Sequence, residues 1–381
     1  MSLAWINRIP SRKEDGLHLC QQAWPAIRTN PYTADQYANL ATHLRQVPED
    51  ICYRPDFYLP DTVKNLPQII ERLITSHWET CSGIHRELVK DRHSEEQGRA
   101  ASATVCLAAS LCATTRIRSS PAAGVTPAAP VLWEGEVTIR EALRDWFAAR
   151  PLQGNPRSFS INPRLTMSLL CSDYGYRVDW TDYLNEHLVV NTHTRVVSVY
   201  QHKVWLSAHL QSPGHCVLPQ EVVGEALDTL NLLFPHSDEP TKSYLDRHGQ
   251  PFYKLGLCGR ERDLDLRSYR HWGGQIQELL QVLSGPRSGF RQLLPGKDQP
   301  NLVESVNFWI AVFVAGLTVI SFVFGLVSVV YAKWSFDVGR ESLDVSRESL
   351  ELTRLQYLLS VKQACLNSEE AKLLPEFCVA E

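Results

Sequence analysis

FWIAVFVAGLTVISFVFGLVSVVYA, residues 308–332, runs for 25 positions without an ionisable, Asn or Gln side chain. Fifteen of the 25 are Leu, Ile, Val or Phe, and at about 0.3–0.6 kcal/mol each they favour membrane insertion by roughly 5–9 kcal/mol. At about 1.5 Å per residue the path from Trp309 to Tyr331 rises about 33 Å, enough to cross a hydrocarbon core of about 30 Å with modest tilt. Trp309 and Tyr331 stand where headgroup-level anchors are expected, and Lys333 closes the segment on a charge. Core helices of soluble proteins rarely stay uncharged for so long. The stretch predicts a single transmembrane helix, and with it a lipid bilayer as the first partner.

Small residues recur through the span at steps of three and four: Ala311, Ala315, Thr318, Ser321, Gly325, Ser328 and Ala332. The rhythm continues beyond it through Ser335, Gly339, Ser342, Ser346, Ser349 and Thr353, so these side chains share one helical face. In lipid, small side chains let two backbones approach closely. The residues after the span also repeat openly, as DVGRESL (337–343), DVSRESL (344–350) and ELTRLQY (351–357). One apolar row holds Val338, Val345 and Leu352, and a second holds Phe336, Leu343, Leu350 and Tyr357, with the small stripe between them. Asp337, Arg340, Asp344, Arg347 and Glu351 fall on the opposite face. This is an amphipathic heptad helix over 333–366, suited either to a close helical pair or to a bilayer surface. An acidic tail, 367–381, follows.

Working outward, the chain has 381 residues, with 38 Lys+Arg against 42 Asp+Glu and a net charge of −4. That balance leaves no basic footprint, so nucleic acid is not an expected partner. Ten cysteines are too few for a disulfide scaffold, and no C-x-x-C pair is present. Met1 to Trp24 has no apolar run of the seven or more residues that a secretory signal requires. Some 300 residues would therefore be synthesised and begin folding before the span emerges. The expected topology is a cytosolic body with the tail across the membrane, although Arg291 and Lys297 before the span against Lys333, Arg340 and Arg347 after it give little charge bias.

The body reads as mainly α with minor β. Thr33-x-x-Gln36 forms a capping box ahead of Tyr37, Leu40 and Leu44. Leu66, Ile69, Ile70, Leu73, Ile74 and Trp78 keep helical spacing as far as Gly83. Thr138-x-x-Glu141 caps a helix with Ile139, Leu143, Trp146 and Phe147. Further helices run from Pro219 through Phe234 and from Tyr269 through Leu283. Strands are expected at Tyr176–Trp180 and Val196–Tyr200. Residues 94–131 turn Ala/Ser/Thr-rich and end in SSPAAGVTPAAP, which reads as a linker or insertion between an N-terminal helical region, 1–93, and a helical domain, 132–307.

Catalytic spacings are absent: there is no phosphate-cradling glycine loop, no G-x-S-x-G and no H-E-x-x-H. The densest titratable cluster is His187, His193, His202, His209, His215 and Cys216, but closed zinc sites pair ligands two to five residues apart. Surface or capping histidines are the plainer interpretation. A Cys/His nucleophile using Cys171 or Cys216 lacks any local signature. In Asp179-Trp180-Thr181-Asp182, either Thr181 or Asp182 is expected at a helix start. No catalytic, cofactor or metal-ligating residue is assigned on these grounds.

The stretch from Leu165 to Ala332 resembles uncharacterised single-span membrane proteins of filamentous ascomycete fungi. The resemblance is carried by Leu165-Thr166, WTDYLNEHL (180–188), the valine-rich RVVSVY, LPQEVVGEALDTLNLLFP (218–235), the Tyr269…Trp272 helix and the span itself. It implies a helical body, one span and a tail, and no activity or cofactor. The function expected from these features is that of a membrane-anchored, non-enzymatic protein. It would offer its body to protein partners and could form homo-oligomers through span and tail. The competing expectation is a membrane-tethered enzyme using a Cys/His or metal site within 187–216.

Overall fold

The computed structural model describes residues 20–21, 23–29, 32–53, 55–59, 62–76, 78–89, 95–120, 128–149, 159–285 and 302–366. The chain divides into two compact units, Met1–Gln292 and Leu293–Glu381. The architecture is mainly α with a minor β component.

In the first unit the Thr33 N–H donates to Gln36 Oε1 at 2.7 Å, opening a short 3₁₀ turn that runs into α1, Ala38–Tyr53. Tyr37, Leu40 and Leu44 are buried, as their spacing requires. Next come α2, Thr62–Thr75, and α3, Cys81–Val89. Leu66, Ile69, Ile70, Leu73 and Ile74 face the core, but the helix ends at Thr75 and Trp78 lies outside it, 74% exposed. The guanidinium of Arg72 binds Glu79 at 2.7 Å and Glu87 at 2.6 Å, fixing the chain in a turn that ties α2 to α3.

Where a linker or insertion is expected, Glu95–Ala113 forms α4, one of the most deeply packed helices of the unit. Ala100, Ala101, Ala108 and Ala109 are buried, and Thr104 shares a 2.8 Å hydrogen bond with Thr62 of α2. Alanine is the strongest helix former, and side chains this small let α2 and α4 approach closely. The Trp24 indole N–H reaches the Leu111 carbonyl at 3.1 Å, locking the N-terminal segment onto the same helix. One large hydrophobic core extends from Cys20 to Leu279, with a small satellite of Leu59, Ala100 and Ala101 beside it, so residues of the regions expected at 1–93 and 132–307 share the large core with α4. The central part of SSPAAGVTPAAP, residues 121–127, lies outside the described residues.

Four residues after the end of α4, β1 (Ile117–Arg118) pairs in parallel with β2 (Val131–Leu132). Helix α5, Ile139–Trp146, carries the full capping box, with Thr138 N–H and Oγ1 both on Glu141 Oε2 and the Glu141 N–H on Thr138 Oγ1. After α6, Met167–Asp173, a three-stranded sheet has the order β3 (Arg177–Thr181), β5 (Val196–Tyr200), β4 (Val190–Asn191). β3 and β5 run parallel with Thr181 opposite Tyr200, while β4 is antiparallel to β5. Val197, Ser198, Val199 and Tyr200 are all buried, as befits a central strand covered on both faces.

Helix α7, Lys203–Gln211, packs on α8, Gln220–Leu233, which is buried along almost its whole circumference. α9, Glu239–Arg247, and α10, Phe252–Leu255, lead to α11, Gly273–Ser284. The buried Glu225 carboxylate of α8 accepts the backbone N–H groups of Arg270, His271 and Trp272 at 2.7–2.8 Å. It thereby satisfies orphan donors at the start of α11. Burial raises the pKa of Glu225, opposed by those backbone donors.

The second unit is dominated by one unbroken helix, α12, Leu302–Leu366, whose 65 residues rise about 97 Å. Its apolar portion meets the length and composition of a membrane span, with none of that window buried. The acidic tail, 367–381, lies outside the described residues.

Candidate functional site

The parallel register of β3 and β5 brings Asp182, just past β3, beside Gln201 and His202, just past β5. Side chains gathered at the carboxyl ends of parallel strands are a common basis for binding sites in α/β proteins. Here Asp182 is a hub. Oδ1 accepts the His202 Nε2–H at 2.7 Å and the Gln201 amide at 2.6 Å, and Oδ2 faces His43 Nδ1 of α1 at 3.2 Å. Burial opposes ionisation of Asp182, but the hydrogen bonds from His202 and His43 prevail and hold its carboxyl well below the usual range. Burial lowers the pKa of His202, against the pull of Asp182, so the ring is neutral and donates from Nε2. A carboxylate can only accept, so His43 carries its proton on Nδ1. The outer nitrogens, His43 Nε2 and His202 Nδ1, are buried without a hydrogen-bond partner.

The segment after Asp182 is pinned to the end of α4. Thr114 adopts a left-handed φ of 44°, uncommon for a β-branched residue, and ends the helix in a sharp turn. Its carbonyl accepts the Leu184 N–H at 2.7 Å and its hydroxyl accepts the Tyr200 O–H at 2.8 Å. That turn delivers Arg116, whose guanidinium lies 4.1 Å from the Tyr183 ring centroid and binds Glu186 at 2.8 Å. Glu186 in turn accepts the Thr181 hydroxyl at 2.6 Å. The Tyr183 ring meets His43 edge-on at 5.8 Å.

These groups border a groove of about 1310 Å³, with α1, α4, β1 and the Asp182–Tyr183 corner as its walls. His43 and Asp182 sit on its surface, Phe57 and Leu107 contribute apolar area, and Arg99 and Arg118 contribute charge.

The histidines singled out in the sequence go to separate places. His187 is buried, Nε2 on Thr229 at 2.6 Å and Nδ1 accepting the Tyr200 N–H, and burial lowers its pKa to about 3. His209 stacks on Trp205 at 3.9 Å and bonds its backbone carbonyl, with its pKa lowered to about 4 by burial. Neither is a surface histidine; both satisfy core positions. His202 precedes α7 and joins Asp182, whereas His193 and His215 are exposed. Cys216 is buried, with its thiol pushed up to about 12 by burial, and Cys171 is likewise raised by burial while donating to the Tyr244 hydroxyl at 3.6 Å. No thiol is hydrogen-bonded to a histidine, and no group of three metal-capable side chains forms among the described residues. Asp182, expected at a helix start, is instead the link between two histidines; Thr181 closes β3.

Several members of the site were not singled out from the sequence, among them His43, Arg99, Arg116, Arg118 and Gln201. A signal for His43 exists: Leu40, His43 and Val47 form a buried i, i+3, i+7 row of α1, and a polar residue in that row demands a partner. No protein-family model, no curated protein and no solved structure matches this chain.

Proposed function

We propose that this chain is a single-span, membrane-anchored protein, without an enzymatic role, that presents its helical body to protein partners. The observation that carries this reading is the exposure of α12. Its large apolar side chains from Trp309 to Tyr331 stand with roughly half or more of their surface uncovered. A buried side chain of this size is worth about 1.5–3 kcal/mol, so the uncovered surface amounts to upwards of about 10 kcal/mol. That rivals the entire stability of a typical domain and calls for lipid around the helix.

The body belongs on the cytosolic side and the end of α12 on the opposite side. Support comes from sulfur chemistry: Cys20, Cys81, Cys106, Cys112, Cys171, Cys216 and Cys258 are free thiols, whereas Cys365, in the last turn of α12, is disulfide-bonded. Free thiols suit a reducing compartment and a disulfide an oxidising one. Two copies associate through the small-residue stripe from Ala311 to Ser349, because the tail helix continues the span and its apolar rows are uncovered. Kinship with the single-span ascomycete proteins belongs to the same proposal.

Glycosylation acceptor sites placed in the loop after β2 and beyond Leu366 test the arrangement in microsomes. Only the site beyond Leu366 should be modified. Modification of the body site, or of neither, contradicts the orientation, and the same sample floated on a density gradient separates a wrong orientation from a missing anchor.

A further inference from the structure

We propose that the groove beside Asp182 is a binding site for a small organic anion whose apolar body carries a hydroxyl group. Three independent features of the same cavity define that chemistry. First, His43 borders the groove while only 7% exposed, its Nδ1 is committed to Asp182, and its Nε2 is buried without a hydrogen-bond partner. A buried polar nitrogen left unpaired costs about 1–3 kcal/mol, so the position calls for a hydrogen-bonding group such as a hydroxyl, which can both donate and accept. Second, Arg99 and Arg118 line the groove and neither makes an ion pair among the described residues. The negative charge of Asp182 is already shared by His43, His202 and Gln201. Glu95 is the other acid on the wall, so the acids and the two arginines balance in number, but Arg99 and Arg118 are left with guanidinium groups that can pair with a carboxylate. Third, Val47, Phe57 and Leu107 supply apolar wall between these polar points. Convergent polar groups set among apolar ones in a concavity are the usual make-up of a small-molecule site, and this groove, of mixed polar and apolar lining, is large enough to hold one.

The support of the site is rigid rather than loop-borne. His43 is carried by α1, Asp182 by the end of β3, and Arg118 by β1, which the left-handed Thr114 turn fixes against Leu184 and Tyr200. All of these residues lie within the Met1–Gln292 unit, so the site stands or falls independently of the membrane anchor.

Equilibrium dialysis of the full-length protein in detergent, against protein-free micelles of the same detergent, tests the assignment with three probes. These are 6-hydroxy-2-naphthoate, 2-naphthoate, which lacks the donor, and 2-naphthol, which lacks the charge. The hydroxy acid should bind saturably and about tenfold more tightly than either control. His43→Phe should remove the preference for the hydroxy acid over 2-naphthoate. Arg118→Gln should remove its preference over 2-naphthol. If His43→Phe does not fold, as judged by its thermal transition, the double variant Arg99→Gln/Arg118→Gln, confined to the rim, carries the test of the anion. Absence of saturable binding of the hydroxy acid, equal affinity for all three probes, or discrimination unchanged in the variants overturns the proposal.

Discussion

Asp182 concentrates the most consequential polar chemistry of the body in one side chain. Replacing it by Asn keeps the shape but weakens the acceptor that orients His43, His202 and Gln201. Asp182→Asn should therefore destabilise the body by about 1–3 kcal/mol, read as a lowered thermal transition in detergent. The pH dependence follows from the directions of the shifts. Asp182 has a depressed folded pKa, so its stabilisation is present above the unfolded value of about 3.9 and is lost as pH falls below it. His187 and His209 titrate near 3 and 4 in the folded protein, whereas an unfolded histidine titrates near 6.5. As pH falls through 6.5 the unfolded chain takes up protons that the folded chain refuses. Each histidine should then remove about 2 kcal/mol of stability between pH 7 and pH 5. Denaturant midpoints measured at the two pH values check this; a flat profile would show that these rings are reachable by protons in the native state.

At the scale of elements, α4 and α12 carry the main lessons. Ala101 of α4 is fully buried, so Ala101→Leu should overpack the body and cost about 1–3 kcal/mol, whereas the same change in a linker would be silent. Thermal unfolding distinguishes the two. Helix α4 was illegible in the sequence because its packing works through the smallness of Ala, Ser and Thr, and apolar periodicity is read from large side chains. By contrast α8, β5 and the span announce themselves, since Val222, Val223, Leu230 or Val197 and Val199 are large, apolar and regularly spaced. The groove was half-legible: Asp182 and His202 lie near each other in sequence, but His43 and Arg118 arrive from α1 and β1, and only tertiary packing unites them. For α12, Gly325→Leu combined with Ser342→Leu should abolish cross-linking of two copies in the membrane, by removing the close approach that small residues allow. Cross-linking at the wild-type yield would discard the stripe as a contact.

Across the whole molecule, two units of opposite character share one chain: a body that buries its large apolar groups and a helix that exposes them. Lipid around the apolar helix would resolve that contrast, and the free thiols of the body against the bonded Cys365 motivate the proposed orientation. A thiol-reactive polymer reagent should shift full-length protein at Cys365 only after reduction, while the body cysteines react on denaturation alone. The most direct measurement of the central claim is extraction of membranes carrying the full-length chain with alkaline carbonate. The protein should remain in the pellet with the bilayer and enter solution only in detergent. Its release into the carbonate supernatant would mean that residues 308–332 do not cross a membrane.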